Sequence, residues 1–251
     1  MRPSRHLPAS IALCLLSALL AAPRTARAQT AAAAEPPLTV QAELSYVATS
    51  GNTDTQTLGV GGEFQIDTDG WTIDAKSAYV SGSSQDQLTA RSVTTQARVA
   101  RRISEYFELF GRFDHVRNRF AGIRNRFATE GGIGYRIGEN DATHRLRIVA
   151  ALGFTQELRV ATPDRAFASA NYGARYRWRL SATAEVAAEG NVTQNLETSS
   201  DWRAATTTSV TAQLTSALSL KLSNRVAYLY QPVPGFGKSD VLTSAAVVAA
   251  F

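Results

Sequence analysis

Cysteine is nearly absent from this chain: Cys14 is the only one in 251 residues, beside one methionine and three histidines. It sits in an apolar run, Ile11 to Ala22, that follows Arg2 and Arg5 and precedes Ala26-Arg27-Ala28. That order is a positive n-region, an apolar stretch too short to span a bilayer as a helix, and an A-x-A site, so cleavage is expected before Gln29. Leu13 stands where a lipoprotein signal wants a small residue, so no lipid anchor is expected at Cys14. The thiol leaves with residues 1–28, and with it go disulfides and thiolate metal sites. No metal and no cofactor is expected.

A basic surplus is missing too, once the leader is discounted. Four of the 26 basic residues (Arg2, Arg5, Arg24, Arg27) and none of the 21 acidic ones lie in 1–28, so the formal charge falls from +5 to +1. Nucleic-acid binding thereby loses its main support. No run of eighteen apolar residues occurs downstream, and helical periodicity is scarce. An exported chain of this kind is either soluble in the periplasm or inserted as a closed barrel, because only helices and barrels satisfy their backbone groups in lipid.

What is present is a two-residue period. Between Phe167 and Leu180, Ala168, Ala170, Tyr172, Ala174, Tyr176, Trp178 and Leu180 share one parity, while Ser169, Asn171, Gly173, Arg175, Arg177 and Arg179 share the other. Alternate strand side chains point to opposite faces, so this segment has one oily and one wet surface. After a short leader at 29–37, the pattern predicts twelve strands in a barrel covering 38–251. The spans are 38–49, 56–67, 71–81, 88–101, 106–117, 125–137, 144–157, 166–180, 184–196, 201–214, 218–230 and 239–251. Connections after even strands are tight, as at Asp67-Thr68-Asp69-Gly70. Those at 82–87, 118–124, 158–165 and 231–238 are longer, and 137–144 is a medium-length exception. Short periplasmic turns, longer outer loops and an even strand count are the habit of outer-membrane barrels, and they place both mature termini in the periplasm. A soluble sandwich would need large aliphatics on its inward parity; here that parity mixes Ala, Gly and Thr with aromatics gathered toward strand ends.

Several short stretches then carry a family resemblance: Ser50-Gly51-Asn52-Thr53, Phe110-Gly111-Arg112, Arg119-Phe120-Ala121-Gly122-Ile123, Gly132-Ile133-Gly134-Tyr135-Arg136 and Pro234-Gly235-Phe236. Together they resemble the YdiY-like salt-induced outer membrane protein family, a domain of unknown function, over roughly residues 38 to 251. The resemblance implies a Gram-negative outer-membrane β-barrel without established catalytic activity. Phe251 is similar to the aromatic C-terminal residue through which such barrels reach the assembly machinery, and outer-membrane lipids are the other implied partner. The loop motifs also read as hairpin chemistry, with Gly supplying positive φ and Pro presetting the turn.

Other signatures fail. Gly235-Phe236-Gly237-Lys238-Ser239 echoes a phosphate-binding loop but is followed by a strand, and Asn191-Val192-Thr193 lies inside a strand. A lipid or lipopolysaccharide hydrolase using His115 is the enzymatic alternative. Asp114 and His115 are strand neighbours, however, and point to opposite faces, so they do not form a catalytic pair. The chain is therefore expected not to be an enzyme.

Function is expected to reside on the wet parity, whose pore-lining candidates are Glu63, Arg98, Arg112, Glu130, Arg136, Arg147, Arg175, Arg177, Arg179 and Arg225. Neighbouring strands juxtapose Glu108, Arg112, Glu130 and Arg136 as salt-bridge ladders, whereas Arg147, Arg175, Arg177 and Arg179 have fewer acids near them in the sequence. Two readings follow: a narrow channel biased toward anions or small solutes, or a structural, stress-related envelope barrel locked shut by its charges. On a gel, the unheated outer-membrane fraction should show the protein at a mobility different from the boiled sample; identical mobilities would count against an inserted barrel.

Overall fold

The computed structural model describes residues 38–49, 55–85, 87–138, 143–160 and 162–251. The leader, 1–28 and 29–37, and Ser50-Gly51-Asn52-Thr53 lie outside the described residues. Twelve strands run among those described: β1 (Leu38–Thr49), β2 (Thr55–Thr68), β3 (Trp71–Ser84), β4 (Gln87–Arg102), β5 (Phe107–Asn118), β6 (Ile123–Ile137), β7 (His144–Arg159), β8 (Arg165–Arg179), β9 (Ala184–Asn195), β10 (Trp202–Gln213), β11 (Leu218–Leu229) and β12 (Ser239–Ala250). Each pairs antiparallel with its sequence neighbours, and β1 closes on β12 through pairs from Gln41↔Ala250 to Ser45↔Ala246. The result is an all-β, antiparallel up-and-down barrel.

The register carries the parity of the sequence around the whole ring. One outward row runs Val247, Leu44, Val60, Tyr79 and Val93 across five strands. One inward row runs Asp74, Arg98, Arg112 and Glu130. A slip of one residue in any pair would turn the arginines to the outside, so the register is strongly specified. Large apolar residues on the outer parity remain exposed, Leu152 at 67%, Val241 at 66% and Tyr172 at 58% among them. An apolar surface of that extent belongs in a membrane.

Aromatic rings pair toward both rims. At the rim where β1 begins and β12 ends, Phe107 lies 5.0 Å from Tyr135 and His144 5.8 Å from Trp178. At the far rim, Trp202 lies 5.2 Å from Tyr228 and 5.7 Å from Tyr230. Rings with an apolar body and a polar edge are favoured where hydrocarbon meets water.

The alternation of connection lengths is less regular than the composition suggests. Gly82-Ser83-Ser84 reads as loop, yet β3 continues to Ser84 and pairs with β2 and β4 through Thr55↔Ser84 and Ser84↔Gln87. Ladders on both sides give most of its backbone groups partners, which outweighs the loop-like composition. The expected 82–87 connection shrinks to a tight hairpin, with Gln85 at φ 49 and a register shift at Gly82/Ser83.

The longest far-end connection crosses the mouth. Val233, between β11 and β12, is 3% exposed because it packs on the β5–β6 connection on the opposite side of the ring. There Arg119–Ala121 form a single 3-10 turn, stopped by Gly122 at φ 76. A Cβ at position 122 would lie 2.7 Å from Val233 Cβ and 2.9 Å from the Phe236 ring. Two of the loop motifs, Phe120-Ala121-Gly122 and Pro234-Gly235-Phe236, therefore meet as a cap. Gly122→Ala combines positive-φ strain with overpacking, an expected loss of about 1 to 3 kcal/mol. Limited proteolysis should cut 230–238 faster in this variant and urea should unfold it earlier; wild-type behaviour in both assays would refute the cap.

Candidate functional site

From the middle of the barrel toward the rim where β1 begins, the inner parity places a dense charge network. Arg98, 5% exposed, donates through Nη2 to Glu108 and lies 3.4 Å through Nη1 from Asp74 Oδ2. Glu108 also faces Arg136 Nε and Arg147 Nη1, each at 3.9 Å. Arg112 bridges Asp114 at 2.9 Å and Glu130 on the adjacent strand. Glycines on β6 let these side chains lie flat on the wall: a Cβ at Gly134 would sit 2.7 Å from Glu108 Cγ. Phe110 fills the space beneath, with Ala100 and Ala151 around it and the Arg98 guanidinium 5.1 Å from its ring centre.

The network also reaches across the lumen. Lys76 on β3 and Glu189 on β9 stand on opposite walls, six strands apart, with Nζ and Oε1 at 3.9 Å. The cavity between Asp74, Lys76, Arg112, Arg147, Arg175 and Glu189 measures about 40 Å³. That is room for a few waters.

The arginines of β7 and β8 are less isolated than their sequence neighbourhood implies. Arg147 approaches Glu108 of β5, while Arg175 and Arg179 stand opposite Glu189 and Glu185 of β9 in register. The acids beside β8 come from the next strand, and only Glu108 comes from a strand further off in the sequence. Arg147↔Arg175 and Arg145↔Arg177 remain like-charged register pairs. Glu63 stands opposite Lys76, and Arg225 opposite Thr207 and Leu242.

Toward the far end lies a cluster that the pore-lining candidates do not include. Glu157, 1% exposed, accepts from four arginines on four strands or their ends. Its Oε1 takes Arg203 Nη1 at 2.6 Å and Arg126 Nε at 3.0 Å; its Oε2 takes Arg165 Nε at 2.7 Å and Arg159 Nη2 at 3.2 Å. Arg165 Nη1 also meets Asp201 Oδ2 at 2.7 Å, and Asp201 is fixed by Asn195 Nδ2 at 2.9 Å. Arg165 and Arg203 stack over Phe167, with ring-centre distances of 4.9 and 5.4 Å. Residues 158–165 read as loop in the sequence, which hid Arg159 and Arg165. Continuing the inner parity of β8 back through Phe167 to Arg165 would have exposed the pattern.

His115 lies on the outer parity, opposite Thr95 and Phe127. Its ring stacks 5.0 Å from Phe127, and Nε2 is 3.2 Å from Asn125 Oδ1. Asp114 points inward to Gln96 Nε2 at 2.6 Å, so the two side chains occupy opposite faces of β5. Phe251 ends the barrel wall, its N–H donating to Val40 O at 2.9 Å.

A closed twelve-strand ring with an apolar exterior and a charged interior defines a transmembrane barrel of the outer-membrane class. Within that class, residues 42–251 match the family described as protein of unknown function, DUF481, and the chain belongs to it. Among solved structures, the COG4313 outer membrane channel from Pseudomonas putida F1 is similar at TM-score 0.50 and 11% identity, over 85% of this chain and 94% of that one. The translocator domain of autotransporter NalP from Neisseria meningitidis gives TM-score 0.46 and 13% identity, over 97% and 95%. An anion-selective porin from Comamonas acidovorans gives 0.41 and 10%, over 85% and 98%. At these identities the likeness is one of fold. No curated protein sequence matches the chain.

Removing one partner from a buried ion network leaves uncompensated charge behind. Glu157→Ala strands four guanidiniums, and an expected loss of about 3 to 5 kcal/mol follows from that principle. Urea unfolding in detergent micelles, followed by the gel-mobility shift, measures it; a midpoint equal to wild type would show that the hub contributes nothing.

Proposed function

We propose that the protein is a non-enzymatic structural barrel of the salt-induced, YdiY-like type, serving envelope integrity, with its lumen held shut by its own charges. The single observation that carries this reading is the Lys76–Glu189 contact across the lumen. Around it, the acids Asp74, Glu108, Asp114, Glu130 and Glu189 nearly balance the bases Lys76, Arg98, Arg112, Arg136, Arg147 and Arg175, as expected of a plug and not of a selective passage. In this reading a cleaved leader exports the chain and Phe251 presents the last strand to the assembly machinery. Both termini then face the periplasm and the capped end faces outward.

A narrow anion-biased channel is the second reading, favoured by the like-charged pair Arg147↔Arg175 at the cavity. Planar-bilayer recording separates the two. The wild-type protein should show no steady conductance, and the double variant Lys76→Ala, Glu189→Ala should show one. A wild-type conductance whose anion preference disappears in Arg175→Ala would replace the plug with the channel. Purified outer membranes carrying His115→Ala should hydrolyse phospholipid and lipopolysaccharide at the wild-type rate; a lost activity would instead favour the hydrolase.

A further inference from the structure

The Glu157 cluster differs from the mid-lumen network in its charge balance. Four guanidiniums, those of Arg126, Arg159, Arg165 and Arg203, share two carboxylates, Glu157 and Asp201. Asp164, the next acid, is paired with Arg124 at 3.3 Å and caps the Arg159 N–H at 2.9 Å, so it balances a fifth arginine and leaves the excess at two positive charges. Like charges gathered around a buried carboxylate repel one another, and a bound dianion would relieve that repulsion.

Three further observations bear on a ligand. The arginines are preorganised, since Glu157 fixes all four and the Phe167 ring, 2% exposed, supports two of them. They are also reachable: the side chains of Arg126 and Arg165 are 19% and 23% exposed, although the carboxylate they surround is buried. Finally, Thr162 Oγ1, in the connection between Arg159 and Arg165, is buried without a hydrogen-bond partner among the described residues.

We infer that this cluster is a binding site for a phosphate monoester on a soluble solute entering from the capped end. A phosphate monoester carries close to two negative charges at neutral pH and three strong acceptor oxygens, and guanidinium forks match that geometry. A monocarboxylate neutralises half as much. Because the cluster lies on the inner parity, the barrel wall separates it from bilayer lipid, which selects a soluble ester over a headgroup. The site stands whether the mid-lumen is open or shut, so it does not depend on the plug.

Isothermal titration of the folded protein in detergent micelles, with inorganic phosphate, glucose 6-phosphate and glucuronate as probes, tests the assignment. Both phosphates should bind saturably at one site, and glucuronate about tenfold more weakly or worse. Arg165→Gln should weaken phosphate binding by about tenfold or more, as expected for a lost charge-assisted hydrogen bond, while retaining the gel-mobility shift of the folded barrel. If that variant does not fold, Arg159→Gln, at the end of β7, takes its place with the same expectation. No saturable phosphate binding, equal affinity for glucuronate, or wild-type affinity in the folded variant would each overturn the proposal. So would binding confined to micelles of a phosphorylated glycolipid.

Discussion

In hydrocarbon a peptide group has no water to bond, and that constraint organises this molecule. Twelve strands satisfy it only because β1 finds β12 and leaves no edge open to lipid. Closure fixes which parity faces inward, and a one-residue error anywhere would carry charged side chains into the bilayer. The burial pattern of a soluble protein is thereby inverted. Leu152 and Val241 are exposed, while Arg98, Glu108 and Glu157 are buried.

Confining the polar parity to a narrow interior creates the second level of organisation. Charges there are stable only when paired, and the barrel pairs them along the wall, as in Arg112–Glu130, and across it, as in Lys76–Glu189. The two ends of this scheme differ. The middle approaches neutrality around a cavity of about 40 Å³, whereas four arginines crowd one buried glutamate nearer the capped mouth. One arrangement ties facing walls together; the other holds guanidiniums in place with charge to spare.

Much of the architecture was legible because period two is a local property. Parity put Arg98, Arg112, Glu130, Arg136, Arg147 and Arg175 on one face, and the register of the barrel keeps them there. Composition misled at two places. Gly82 to Ser84 looked like a loop because small residues favour turns, yet two neighbouring ladders hold it extended. Residues 158–165 looked like a loop as well, and Arg159 and Arg165 disappeared into it. The acid facing Arg147 was hidden for a different reason: Glu108 lies two strands away and comes near through barrel curvature and long side chains, not through sequence spacing.

The sequence by itself determined the all-β class, the strand parity and the oily and wet faces, because alternation of side chains along an extended backbone needs no partner to be read. Only the tertiary structure decided that Lys76 meets Glu189, that Val233 crosses the mouth to Gly122, and that four arginines share Glu157. Those contacts depend on how many strands close the ring and on the stagger between them, which bring opposite walls and distant loops within reach.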